Sequence, residues 1–368
     1  MLVDPRIAKM AELLVRYSLG IREGDFCVIR ATPTAAPLVQ ECYRQVLLAG
    51  GQPHVDLRLP DLDEIHLRTA TDEQLQFVSP IARYIMDHAD AQLSILSDVN
   101  TKALTAIPPE KMGIMQKARR ELLQTFLRRD DEGSLRWSVA MYPTEAYAQD
   151  AEMSVDVLAD FIFDACLLNE PDPVAAWQAV AARQEKIIER LKGKSEVRLV
   201  GPGTDLTFSI AGRTFINDDG KKNLPGGEVF TGPVEDSANG TIAFTYPAVY
   251  GGKEVAGVQL RFEAGKVVEA RAAKNEELLT TLLASDDGAK RLGEFAFGTN
   301  PGITRFTRNT LFDEKIGGTI HMALGSSYPA TGGTNQSAIH WDMVCDLRDG
   351  GEIWVDGALF AKDGAFTE

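Results

Sequence analysis

Apolar residues at Ile7, Met10, Leu14 and Tyr17, preceded by Asp4-Pro5, predict a capped helix at the start of the chain. The short apolar run from Asp25 to Arg30 (DFCVIR) reads as a strand. From Pro37 to Ala49 the spacing of Leu38, Cys42, Val46 and Leu47 predicts a second helix, which Gly50-Gly51 ends. His54 to Leu59 is strand-like again. Strand, helix and strand in close succession predict a βαβ unit, and with it a parallel sheet. Further helical patterns cover Ala118 to Arg129 and Val155 to Leu168.

The texture changes near Gly193. Asp172-Pro173 opens a helix with Trp177, Val180, Gln184, Ile187, Ile188 and Leu191 at helical spacing, and Gly193 is placed to cap it. Beyond it, Val197–Val200, Leu206–Ile210, Val258–Phe262 and Val267–Arg271 are strand candidates, the last two joined by an Ala264-Gly265 turn. Asp356-Gly357 predicts a second hairpin, between Ile353–Val355 and Ala358–Phe360. One helix is expected around Asn275 to Ala284. The fold class is therefore α/β: an N-terminal α/β domain with a parallel sheet over residues 1–193, and a β-rich α+β domain over residues 194–368.

Two domains also follow from length, since 368 residues exceed one ordinary core. With 44% hydrophobic and 25% charged residues the chain is ordinary for a globular protein and not disordered. Charges at Asp4, Arg6, Lys9, Glu12 and Arg16 interrupt any signal-peptide core, and no apolar run reaches about 18 residues, the length of a membrane span. Cys27, Cys42, Cys166 and Cys345 are scattered in apolar contexts and read as buried, reduced thiols. A cytoplasmic protein with no membrane partner is expected. A net charge of −15 argues against a nucleic-acid partner. It serves solubility, and such a field also attracts cationic ligands such as a free peptide amino group.

The candidate chemistry lies in the second half. In AIHWDMVCDL, an apolar strand pattern, His340 and Asp342 share one face, with Trp341 and Met343 on the other. His321 sits in a second apolar run, GTIHMALG. A buried histidine and carboxylate need a partner, and either a hydrogen-bond network or a bound cation supplies one. Glu228, between Gly227 and Val229-Phe230, and Glu294, inside GEFAFG, are carboxylates in equally apolar settings. Lys221, Lys222, Arg291 and Arg305 are near enough in sequence to pair with them. Gly201-Pro202-Gly203 matches no phosphate-loop spacing, and Ser326-Ser327 lack a nucleophile elbow. His54, His66 and His88 read as surface or structural residues.

NLPGGEVFTGPVEDSANG, GEFAFGTNPGI, LFDEKIGGTIHMALGSSYP and NQSAIHWDMVCDL, in that order, resemble the thermophilic aminopeptidase family of metallopeptidases, which includes aminopeptidases T and S. RWSVAMYPTEAYA and FINDDGKKN add to the resemblance, which spans essentially the whole chain and is densest over residues 217–346. Four ordered motifs of this length are far more specific than any one short pattern. The resemblance implies two divalent ions (zinc, cobalt or manganese) held by Glu228, Glu294, His321, His340 and Asp342. It further implies catalytic roles for Tyr328, Glu314 and Glu294. It implies peptide substrates with a free N-terminus, and a homodimer whose N-terminal half supports pairing and shields the site. The chain departs from the family in a short segment between Tyr328 and His340, and in Gly226 where an acidic or polar residue is expected.

The donor set agrees with this. Carboxylate oxygens and imidazoles without cysteine suit a catalytic zinc, cobalt or manganese site, and five ligands are more than one tetrahedral ion needs. Two rivals remain at the level of sequence. His321, His340 and Asp342 alone would make the facial triad of a mononuclear iron ring-cleaving dioxygenase, though Glu228 and Glu294 are then superfluous. A non-catalytic metal-binding scaffold is the other.

Overall fold

The computed structural model describes residues 4–367 and has two compact units. The first runs to Ala176 and takes in Gly220–Pro225; the second comprises Trp177–Asp219 and the chain from Gly226 onward. The sequence pattern suggests a division at Gly193. The change instead falls inside the helix Pro173–Leu191, because Ile187 and Leu191 of its buried face join the core of the second unit.

In the first unit, Gln52–Leu57, Phe26–Ala31, Ala91–Leu96, Arg136–Met141 and Asn223–Leu224 form one five-stranded sheet in that order. Every pairing is parallel, as the βαβ pattern requires. Asp4 caps the helix Pro5–Leu13 by accepting from the Arg6 amide at 2.9 Å, and the helix continues as a π turn over Leu14–Ser18. The helix Ala36–Leu48 buries Leu38, Val39, Cys42 and Val46; Leu47, expected on that face, is half exposed. The helical pattern expected from Ala118 to Arg129 is broken at Arg119 into Pro109–Ala118 and Arg120–Asp131.

The second unit has two large antiparallel sheets and a two-stranded antiparallel ribbon of Ala248–Tyr250 and Lys253–Val255. One has eight strands, in the order Lys266–Arg271, Gln259–Glu263, Asn239–Ala243, Thr204–Ser209, Glu196–Gly201, Glu352–Val355, Ala358–Lys362 and Ala365–Phe366. The other has five: His340–Cys345, Ile320–Gly325, Leu292–Gly298, Glu228–Thr231 and Ile216–Asp218. Alternation puts Val229, Phe295, Phe297, Met322, Leu324, Trp341 and Met343 of the five-stranded sheet into a core shared with the larger sheet. Edge-on contact of Phe208 with Phe295, centroids 4.9 Å apart, is one seam of that core. Both predicted hairpins form, with positive φ at Asp356 and Gly357 as a two-residue turn demands. The fold is thus mixed α/β, and no helix among the described residues is long and apolar enough to cross a membrane.

Candidate metal centre

The face of the second unit's five-stranded sheet turned away from the core carries the five acidic and histidine residues expected to hold metal. Glu228 opens its strand, Glu294 lies in Leu292–Gly298, His321 in Ile320–Gly325, and His340 and Asp342 in His340–Cys345. The register sets a small residue opposite each: Gly298 faces Glu228, Ala296 faces His321, Ala323 faces Asp342 and Gly325 faces His340. Directly opposed side chains are close neighbours in a sheet, so small partners leave the polar groups room to converge. Glycine at 298 has a second purpose. A Cβ there would lie 2.1 Å from the Ile316 carbonyl oxygen, so its absence lets the segment bearing Glu314 and Lys315 lie against the sheet.

The two imidazoles are held in matching ways. His321 Nδ1 lies 2.9 Å from the Glu314 carbonyl oxygen, and His340 Nδ1 lies 2.7 Å from that of Ser326. A carbonyl only accepts, so each Nδ1 carries its hydrogen and each Nε2 is turned into the cluster. Glu294 spans the two rings: Oε1 is 3.4 Å from His321 Nε2, and Oε2 is 3.2 Å from His340 Nε2. Glu228 Oε2 is 3.4 Å from His321 Nε2, and Asp342 Oδ1 is 3.4 Å from His340 Nε2. Three groups have ligand atoms within 4.8 Å of one another: Glu228, Glu294 and His321; Glu294, His340 and Asp342; and Glu314, His321 and Asp342.

The contacts show what this cluster fits. Glu228 Oε2 and Asp342 Oδ1 are buried and make no hydrogen bond despite their closeness to imidazole nitrogen. A neutral Nε2 and a carboxylate oxygen are both acceptors, so their approach requires a cation between them. A proton is the smallest such cation. Burial opposes charge on the rings, yet Glu294 and Glu228 push His321 up to about 10, and Asp342 and Glu294 push His340 up to about 12. Burial also works against ionised Asp342, but His340 holds it down to about 2. A divalent ion meets the same demand with a larger charge and with more ligand positions.

Sequence reasoning missed Lys315. Its side chain is fully buried, and its ammonium lies 3.4 Å from Glu228 Oε1 and 3.7 Å from Asp218 Oδ2, and bonds Glu314 Oε1. Burial disfavours its charge, but those three carboxylates outweigh that and hold it protonated far above the ordinary lysine range. Burial raises both Glu228 and Glu314, with Lys315 countering it in each. Of the basic residues near in sequence, Lys222 pairs with Asp130 and Arg291 donates to the Glu235 carbonyl. Glu235 itself pairs with Arg213 and stands outside the cluster. In FDEKIGG the lysine directly follows two acidic residues and reads as an exposed ion pair, so the sequence carried no signal for it.

Glu314 directly follows the short helix Thr310–Asp313 and joins the cluster through both its carbonyl and its carboxylate. Tyr328 follows the His321 strand. Its ring meets His340 edge-on at 5.2 Å and Phe230 at 5.6 Å, and its hydroxyl has no partner among the described residues. By contrast, His54 tilts against Phe26 and His88 stacks on Tyr84, both in the first unit.

Comparisons with known proteins agree with this geometry. The model of the thermophilic metalloprotease (M29) family matches residues 3–359. Aminopeptidase T of Thermus thermophilus is 30% identical over 98% of this chain and 96% of its own, and aminopeptidase 2 of Geobacillus stearothermophilus is 29% identical over 98% and 95%. The solved structure of wild-type AmpT from Thermus thermophilus superposes with a TM-score of 0.84, at 29% identity, over 99% of both chains. A 2,5-dihydroxypyridine dioxygenase from Pseudomonas putida shares the fold at a TM-score of 0.59 and 13% identity, covering 100% of this chain and 98% of that one.

Proposed function

The chain belongs to the thermophilic metalloprotease (M29) family and is a metal-dependent aminopeptidase, and from that premise we propose how its residues divide the work. Glu228, Glu294, His321, His340 and Asp342 would hold two divalent ions. The carrying observation is that the two oxygens of Glu294 face two different imidazoles, each presenting Nε2. Zinc, cobalt and manganese suit the donors.

The ions supply the Lewis acidity that makes water a nucleophile near neutral pH and polarises the scissile carbonyl. The protein supplies the rest. Glu314, whose burial raises its affinity for a proton, takes one from the attacking water at the oxygen not bound by Lys315 and returns it to the leaving amine. The free hydroxyl of Tyr328 donates to the carbonyl oxygen as the centre becomes tetrahedral. An acidic chain that attracts a cationic terminus favours peptides with a free N-terminal ammonium.

Two chains pair as a homodimer through the N-terminal half, residues 1–193. Among the described residues, the exposed large apolar side chains other than Val268 and Tyr328 belong to the first unit, which favours that half as the pairing surface. Four buried free thiols accord with a reducing, cytoplasmic setting.

Elemental analysis of chelated and reconstituted protein, run beside hydrolysis of leucine anilide, tests the reading. Two ions per chain should return together with activity. One ion per chain, or hydrolysis surviving exhaustive chelation, would overturn it. Acetylating the N-terminus of a peptide should abolish its turnover.

A further inference from the structure

A cavity of about 620 Å³ opens in the second unit, lined by parts of the helix Pro173–Leu191, the segment after Gly298 and the chain near Phe366. None of the candidate metal ligands lines it. Its wall is apolar at Val180, Ile303 and Phe366. Arg183 and Lys186, one helical turn apart, stand at its edge and pair with no carboxylate among the described residues. Asp363 and Arg348 also line it, but both have partners: Asp363 accepts from the Gly350 amide and Arg348 pairs with Asp346.

Between the two free cations in sequence lies Gln184, which is buried. Its amide nitrogen donates to the carbonyls of Asp218 and Glu228 and to Thr299 Oγ1, at 3.0, 3.2 and 3.2 Å. Three acceptors fix the orientation of the carboxamide, and its oxygen is left buried with no hydrogen-bond partner. A buried acceptor without a donor is costly, and here it belongs to a residue that lines a cavity.

We propose that this cavity binds a small carboxylate bearing an apolar side chain and an N–H group, the chemistry common to free and N-acylated apolar amino acids. The carboxylate pairs with Arg183 and Lys186, as charge-assisted hydrogen bonding favours. The side chain packs on Ile303 and Phe366, and the N–H donates to Gln184 Oε1. The site is separate from the metal centre, so its occupancy does not depend on the assignment of the metal ligands.

Calorimetric titration of the metal-loaded protein with N-acetyl-leucine tests this, because blocking the amine disfavours binding as a peptide substrate would bind. One molecule per chain should bind saturably. Parallel titrations with leucine show which source binds more tightly. N-acetyl-leucine amide, lacking the carboxylate, and 4-methylpentanoate, lacking the N–H, should each bind about tenfold more weakly or worse, the loss of one good polar contact. R183Q/K186Q alters two exposed side chains and should weaken binding by at least about tenfold while thermal midpoint and peptide turnover hold. Absence of saturable binding, binding indifferent to R183Q/K186Q, or equal binding of 4-methylpentanoate would each overturn the proposal.

Discussion

The Lys315 ammonium lies 3.4 Å from Oε1 of Glu228, while Oε2 of the same carboxylate is buried without a hydrogen bond and faces His321. In the proposed centre the carboxylate is thereby divided between a permanent cation of the protein and the metal position. Removing one member of a buried ionic network leaves the others uncompensated, at a cost of about 3–5 kcal/mol. Lys315→Met should therefore destabilise the chelated protein by about that amount, and the loaded protein by less, since bound ions neutralise the same carboxylates. Urea unfolding of both forms measures the difference. Equal midpoints for variant and wild type in the chelated form would mean that Lys315 is not the counter-charge its position implies.

Glu294 offers one oxygen to each imidazole, so a change there reaches both halves of the centre. Glu294→Gln keeps the shape and replaces one anionic oxygen by an NH₂ donor, which cannot ligate a cation. Metal affinity should fall at least about 100-fold, beyond the range typical for residues that only support a ligand. Glu235→Gln is the control, because Glu235 pairs with Arg213 outside the cluster. Retained metal in E294Q after dialysis, or metal lost equally from E235Q, would contradict the bridging role.

His340 and Asp342 were legible because a strand alternates: with Trp341 and Met343 in the core, the pair between and beside them had to share the other face. Their isolation in apolar runs marked His321, Glu228 and Glu294 in the same way, and the ordered motifs tied them together. Lys315 was illegible, since a lone lysine beside two acidic residues reads as an exposed salt bridge until the turn is seen pressed onto Gly298. Gln184 counted as one more position on a helix face, and only its three hydrogen bonds show that it braces the Glu228 strand. The strand Asn223–Leu224 gave no signal at all, because two residues before a proline are too few to show alternation.

The four cysteines permit a prediction independent of the metal. All are buried, and burial pushes the Cys27 and Cys345 thiols up to about 12, with Cys42 and Cys166 raised as well. Because the thiolate is the reactive form, raising its pKa keeps each group a thiol well above neutrality. At about pH 8, where an ordinary cysteine is partly ionised, Ellman's reagent should find no reactive thiol in the native protein and four after denaturation. Rapid modification of any one in the native state would show that the segment holding it opens.

Tyr328 sits in the turn after the His321 strand, its ring edge-on to His340 and its hydroxyl unpartnered among the described residues. About half of this side chain is exposed, so the group is open to a substrate lying over the centre. As the scissile carbonyl becomes tetrahedral its oxygen gains charge, and an O–H aimed there stabilises that state more than the bound peptide. Tyr328→Phe removes the hydroxyl and keeps the ring contacts with His340 and Phe230. Metal content should not change, KM should move little, and kcat should fall by about 10²–10³-fold, the range for loss of one oxyanion donor. Elemental analysis and steady-state kinetics on one peptide separate the possibilities. Wild-type kcat would leave Tyr328 as part of the pocket wall, and loss of metal would make it a support for His340.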